Sequence, residues 1–281
     1  MTRQSLYARL LFARCALSQI RWSLVIAASL VGCSIAGSPA AAPIDPAINI
    51  TAPADAWRAL ASGLETRRYN PGASYPFTSF VAVRIDPALY SFRAHYQPGT
   101  ARTLDQWSAA LPDAIAIVNA NFFDANANAL GLVVTDGTVY GQAYQGRGGM
   151  LQVVDGQVRV RSTVTEPYNR ERLDQAVQAF PMLIAEGAVA YSDPRPDRPS
   201  RRTVIGADAQ GRIVLLVTPG LTGMPLTAMS AYLASSDLGL VNAVNLDGGG
   251  SSLLAIAVPG GETVRAPSFD PVPVVLAVYA K

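Results

Sequence analysis

From Trp57 onward the chain sets short apolar runs against X-Gly pairs, and this rhythm predicts hairpins. Leu132-Val133-Val134 runs into Asp136-Gly137, and Ile213-Val214-Leu215-Leu216-Val217 follows Gln210-Gly211, with Asp155-Gly156 and Glu186-Gly187 between them. An X-Gly pair between β-rich runs marks a tight antiparallel turn. Two stretches switch to the helical period. Thr103 and Gln106 form a capping-box pair, and Leu104, Trp107 and Leu111 share one face behind it. Pro225 opens a second helix carrying Leu226, Met229 and Leu233, with Gly239 as its expected stop. Ala114–Asn119, Val241–Leu246 and Val272–Tyr279 read as buried strands. The prediction is α+β, a single domain over 56–281 of mostly antiparallel sheet with a few packed helices.

Composition changes this picture at the N-terminus. The 281-residue chain is 50% hydrophobic and 15% charged, enough apolar mass for a core. Its formal charge of +2 arises from 22 basic and 20 acidic residues. Arg3, Arg9, Arg14 and Arg21 precede every acidic residue, the first of which is Asp45; without those four, 18 basic residues face 20 acidic ones. A domain near −2 has no electrostatic footprint for nucleic acid, so that partner class is set aside. After Arg21 an apolar run from Trp22 to Gly32 is too short to span a bilayer and suits a signal-peptide core. Leu30-Val31-Gly32-Cys33 resembles a bacterial lipobox, which implies acylation of Cys33. Ala40-Ala41-Ala42 offers ordinary signal-peptidase cleavage instead. The expected organisation is a signal peptide over 1–33, an Ala/Pro-rich tether over 34–55 and the domain beyond. The product is exported, either membrane-anchored through its lipid or secreted.

Both cysteines, Cys15 and Cys33, lie in that leader, so the domain has neither disulfide nor thiol nucleophile. The single histidine, His95, sits among alternating aromatics (Tyr90, Phe92, Tyr96) and reads as structural, which argues against a Ser-His-Asp triad or a histidine metal cluster. Three segments remain. Asn245-Leu246-Asp247-Gly248-Gly249-Gly250-Ser251-Ser252 follows a predicted strand, and its successive glycines would let N–H groups converge on an anion beside Asp247. A turn with a capping Asp fits the same letters. Asn119-Ala120-Asn121-Phe122-Phe123-Asp124 suits a sugar, amides for hydroxyls and a ring for the C–H face, and equally suits a core Phe pair with a turn. In the segment from Arg195 to Thr203 most arginines read as exposed loop, but Arg202 adjoins a strand that could hold its guanidinium for bidentate phosphate or carboxylate binding.

Taken in order, Asn119–Asp124 with Gly131-Leu132-Val133-Val134-Thr135-Asp136-Gly137, then Arg202-Thr203-Val204-Ile205-Gly206, then Asn245–Ser252 resemble the phosphodiester glycosidase family. Asn121 stands where that pattern often has glycine, and Ser200-Arg201 where a His-Pro pair often precedes the Arg-Thr. The resemblance implies hydrolysis of the bond between a sugar's anomeric carbon and a phosphodiester oxygen, with a glycan or sugar phosphate of the cell envelope as substrate. On that footing Asp247 is the catalytic carboxylate, and Arg202 with the N–H groups of Gly248, Gly249 and Gly250 holds the phosphate. Asn119, Asn121 and Asp124 hold the sugar, Ser251 and Ser252 orient the cradle, and Asn245 and Thr203 complete the binding set. Asp124 and Asp247 with their Asn neighbours could ligate a divalent cation such as calcium through oxygen. The competing readings are a surface glycan-binding module without catalysis and a glycosidase indifferent to phosphate.

Overall fold

The computed structural model describes residues 56–195 and 197–281. The expected leader, lipobox at Cys33 and tether lie outside the described residues. In chain order the first strands are β1 (Arg58–Ala61), β2 (Leu64–Tyr69), β3 (Phe80–Ile85) and β4 (Tyr90–Tyr96), followed by helix α1 (Leu104–Ala110). β5 (Ala116–Asn119), β6 (Val133–Thr135), β7 (Thr138–Tyr140), β8 (Gly149–Val154) and β9 (Gln157–Ser162) come next. β10 (Gln175–Ala179), β11 (Met182–Ala185), β12 (Ala188–Val189), β13 (Thr203–Asp208) and β14 (Ile213–Val217) lead to α2 (Leu226–Ser235). β15 (Leu240–Asn245), a 3-10 turn at Gly249–Ser251, β16 (Leu254–Ala257), β17 (Thr263–Ala266) and β18 (Val274–Ala280) complete it.

These strands form three antiparallel sheets, in the orders β1-β2-β3-β14-β13-β15-β11-β12, β7-β6-β10-β8-β9 and β17-β16-β5-β18-β4. The main core lies where their inner faces meet: Val83, Ile205, Leu215 and Val244 of the first, Leu151 and Val177 of the second, Val118 and Leu276 of the third. The first sheet is covered on its other face as well, where Val204, Val214 and Leu216 pack on Met229 and Leu233 of α2. Burial on both faces is why β13 and β14 read as continuous apolar runs instead of alternating ones. α1 covers the outside of the third sheet with Leu104 and Trp107 against Ile117, Val275 and Ala277.

The Thr103 capping box forms, Gln106 N donating to Thr103 Oγ1 at 3.3 Å and Thr103 N to Gln106 Oε1 at 2.9 Å. Asp136-Gly137, Asp155-Gly156 and Glu186-Gly187 each hold two successive residues at positive φ, the type I′ geometry that matches strand twist. Two expectations need correction. The domain is sheet-rich, with only two α-helices among the described residues, so mostly antiparallel β describes it better than α+β. Gly239 does not stop α2: the helix ends at Ser235, and Gly239, at φ +64°, bends the chain into β15. The Gln210-Gly211 hairpin joins β13 to β14, its turn built on the Asp208 carboxylate, which accepts from the N–H groups of Gln210 and Arg212.

Candidate active site

The sheet order brings the three sequence segments together. β13 and β15 are antiparallel neighbours with Val204 opposite Asn245, so Arg202 and Thr203 at the start of β13 meet the glycine loop at the end of β15. Asn119 closes the join from the third sheet. Its Nδ2 donates to the Asp247 carbonyl at 2.6 Å, and its Oδ1 accepts from Thr203 Oγ1 at 2.8 Å and Leu253 N at 3.0 Å. Asp247 N donates in turn to the Ala120 carbonyl at 2.9 Å.

Each glycine of the loop has its own steric reason. A Cβ on Gly248 would sit 2.8 Å from the Arg201 carbonyl oxygen, Gly249 has φ +60°, and a Cβ on Gly250 would meet the Asp270 carboxylate at 1.9 Å. The converging N–H cradle expected from three glycines does not form. Gly248 N donates to Asp247 Oδ1 at 2.8 Å and Gly249 N to the Arg201 carbonyl, just before β13, at 2.9 Å, so two of the three donors are spent on protein partners. Gly250 lies behind the loop, against Asp270. Ser251 bonds the Asp247 carboxylate, whereas Ser252 is fully buried and its carbonyl accepts from Arg201.

A cavity of about 770 Å³ opens above this loop. Asn245, Asp247, Gly248 and Gly249 line one side and Ser200 and Arg202 the next. Tyr191, Asp193 and Arg195 follow β12, and Phe122, Phe180 and Arg147 stand on the remaining wall. Burial pushes the Asp247 carboxyl up to about 6, and the Asp270 charge adds to this, against the Ser251 hydroxyl and Gly248 N–H, which favour the anion. Phe122 and Phe180 have ring centroids 4.9 Å apart, and Tyr144 meets Phe180 edge-on at the same separation. Asn245 Nδ2 donates to the Phe180 carbonyl at 3.2 Å, while its Oδ1 is buried without a partner.

Arg202 reaches the cavity but is largely committed. Its Nε donates to the Met224 carbonyl at 2.8 Å, and its Nη2 bonds Asp197 at 3.3 Å and the Arg198 carbonyl at 3.1 Å. Asp197 also accepts from Leu226 N, capping α2. Burial lowers the Arg202 pKa, which Asp197 opposes.

Several expected sugar ligands lie elsewhere. Asn119 is fully buried with its amide bonded internally, so it supports the loop and does not line this cavity. Asn121 is buried too, its Nδ2 spent on the carbonyls of Leu132 and Gln178. Asp124 caps its own turn, accepting from the N–H groups of Asn126 and Asn128, which hold its carboxyl below the usual range, the Asn128 bonds foremost. Asp124 and Asp247 therefore do not converge, and among the described residues no group of three His, Cys, Asp or Glu side chains could hold a metal ion. Thr203 is buried as a strut for Asn119.

The sequence reading missed Arg147, Phe180, Tyr191, Asp193 and Arg195. Asp193-Pro194 had only a turn signal and Arg195 only that of an exposed loop; Arg147, flanked by Gly146 and Gly148, carried the one local hint of a constrained side chain.

A family model described as phosphodiester glycosidase matches residues 112–279. Bovine N-acetylglucosamine-1-phosphodiester alpha-N-acetylglucosaminidase is 43% identical over 60 residues, which are 20% of this chain and 11% of that protein. The catalytic domain of the zebrafish enzyme of that name, in a structure described as auto-inhibited by its pro-peptide, superposes with TM-score 0.60 at 18% identity, covering 80% of this chain and 86% of that one. A hypothetical protein from Synechocystis superposes with TM-score 0.54, also at 18% identity, over 78% and 62% of the two chains.

Proposed function

Because this chain belongs to the phosphodiester glycosidase family, we propose that it hydrolyses the bond between a sugar's anomeric carbon and a phosphodiester oxygen. The observation that carries this reading is a carboxyl group, Asp247, held half out of water beside an aromatic wall and guanidinium groups in one cavity. A phosphate monoester is already a good leaving group, so little general-acid help is needed and the demand falls on a base near the anomeric carbon. Asp247, ionised above its raised pKa, takes the proton of the attacking water as that water's oxygen bonds the anomeric carbon. The bond from that carbon to the phosphodiester oxygen breaks with its electron pair leaving on the phosphate. Fixed donors at Gly248 and Ser251 keep the carboxylate aimed without reorganising. The sugar lies against Phe122 and Phe180, and the unpartnered Asn245 Oδ1 accepts one of its hydroxyls.

Incubating the purified protein with UDP-N-acetylglucosamine, an N-acetylglucosamine phosphodiester and nitrophenyl glycosides, then assaying free sugar, tests the reading. Release from the phosphodiesters supports it. Equal release from the nitrophenyl glycosides indicates a glycosidase indifferent to phosphate, and binding without release indicates a glycan-binding module. The leader adds the proposal that the protein is exported and lipidated at Cys33, acting on an envelope glycan. Cys33→Ala in the full chain is expected to shift it from the membrane to the soluble fraction, and unchanged membrane retention would reject lipidation.

A further inference from the structure

Three guanidinium groups line the cavity: Arg147, Arg195 and Arg202. Two are paired. Arg195 grips Asp193 through Nε at 3.0 Å and Nη2 at 2.6 Å, and Arg202 is tied to Asp197. Arg147 is in no ion pair among the described residues. Its guanidinium carbon instead sits 4.7 Å from the Tyr144 ring centroid and 4.3 Å from that of Phe180. Stacking on two rings restricts the rotamers of a long side chain while leaving its edge donors free, the form in which Arg best meets a phosphate.

The loop beneath Arg147 is built from buried polar groups. Thr163 Oγ1 donates to the Arg147 carbonyl at 2.9 Å, and Thr163 N to the Gly148 carbonyl at 3.0 Å. Gln178 bonds Tyr144 twice, accepting from its N–H at 2.8 Å and donating to its carbonyl at 3.1 Å. Thr163 and Gln178 are both fully buried. Gly148, at φ +78°, passes so close to β10 that a Cβ would lie 2.1 Å from the Ala179 carbonyl oxygen. The Asp247 charge is felt at the Tyr144 hydroxyl, so this wall faces the carboxylate across the cavity.

Resting on the hydrolase reading above, we propose that Arg147 is the residue that binds the phosphoryl group of the substrate and so selects sugar phosphates over neutral glycosides. The phosphate then lies on the Tyr144–Phe180 side, where an unneutralised cation faces it, and the glycine loop serves only to hold Asp247. An anionic ligand supplies the counter-charge that Arg195 and Arg202 obtain from their aspartates.

Calorimetric titration of the wild-type protein, Arg147→Ala and Arg147→Lys tests this without requiring turnover. The ligands are N-acetylglucosamine 1-phosphate, N-acetylglucosamine and inorganic phosphate. The phosphorylated sugar should bind wild type more tightly than the neutral sugar. Arg147→Ala should weaken sugar phosphate and inorganic phosphate by about 10- to 100-fold while leaving the neutral sugar unchanged. Arg147→Lys should fall between, keeping the charge and losing the planar fork. Equal weakening of charged and neutral ligands, no change in either, or a wild type that does not bind the phosphate ligands overturns the proposal. Phosphate discrimination that depends on Arg147 in a protein releasing no sugar from any phosphodiester would instead reject the hydrolase and keep the anion site. Because Arg147 is exposed, its variants should unfold at the wild-type temperature, which separates lost binding from lost fold.

Discussion

Asp247 shows how one residue's environment sets both chemistry and stability. Its carboxyl titrates near 6, against an ordinary 3.8, because burial penalises the charge. With Asp247 acting as the base, kcat/KM should rise with pH through about 6 and then level off. A rate that falls over that range would make it an acid. Asp247→Asn should cost about 10²- to 10⁴-fold in kcat, read from released sugar. The linkage has the opposite sign. Between 3.8 and about 6 the folded state keeps a proton that the unfolded chain has released, so rising pH removes stability in that window. Thermal melts should therefore show Asp247→Asn stabilised above pH 6, by at most about 3 kcal/mol, and not below the ordinary carboxyl range. Gly250 poses a steric counterpart. Gly250→Ala places a methyl on the Asp270 carboxylate and should destabilise by about 2 kcal/mol or more, whereas Gly249→Ala meets mainly the φ penalty of about 1–2 kcal/mol.

Between elements, the decisive contact is Asn119, which ties β5 of one sheet to β13 and the glycine loop of another. Asn119→Ala orphans the buried Thr203 hydroxyl and Leu253 N–H, and urea melts should register a loss of about 2–4 kcal/mol. Activity should fall with it, since the Asp247 backbone loses its anchor. Thr103→Ala is the matched control: removing that exposed helix cap should cost about 0.5–2 kcal/mol and leave turnover unchanged. Element type was largely legible in the sequence, because X-Gly turns and a capping box are local features that keep their geometry in any fold. The fate of the polar side chains at strand ends was not. Asn119 and Asn121 carry the composition of a sugar site, but both are buried and hydrogen bonds to distant segments take up the Asn119 amide and the Asn121 Nδ2.

In the molecule as a whole the cavity lies where segments from all three sheets converge. Phe122 extends from the β5 end, Arg147 precedes β8, and Asn245 closes β15. The rigidity of that meeting place rests on the shared core beneath it. Leu215, fully buried there, should cost about 2–5 kcal/mol as Leu215→Ala, and unfolding followed by fluorescence and by circular dichroism should shift together if the sheets melt as one unit.

The sequence alone determined the hairpins, the two helices and the strings that mark the family, because each depends on periodicity or on neighbours a few residues apart. It also left arginine as the cation for any phosphate, since 21 of the 22 basic residues are Arg and the remaining one is Lys281. Only the tertiary structure decided which polar groups stay available. Hydrogen-bond capacity is finite, so the amide of Asn119, the Nδ2 of Asn121 and the N–H groups of Gly248 and Gly249 are spent on structure. Arg147, marked in the chain only by its flanking glycines, is in no ion pair among the described residues and stacks instead on Tyr144 of its own loop and on Phe180, which the pairing of β8 with β10 brings to it.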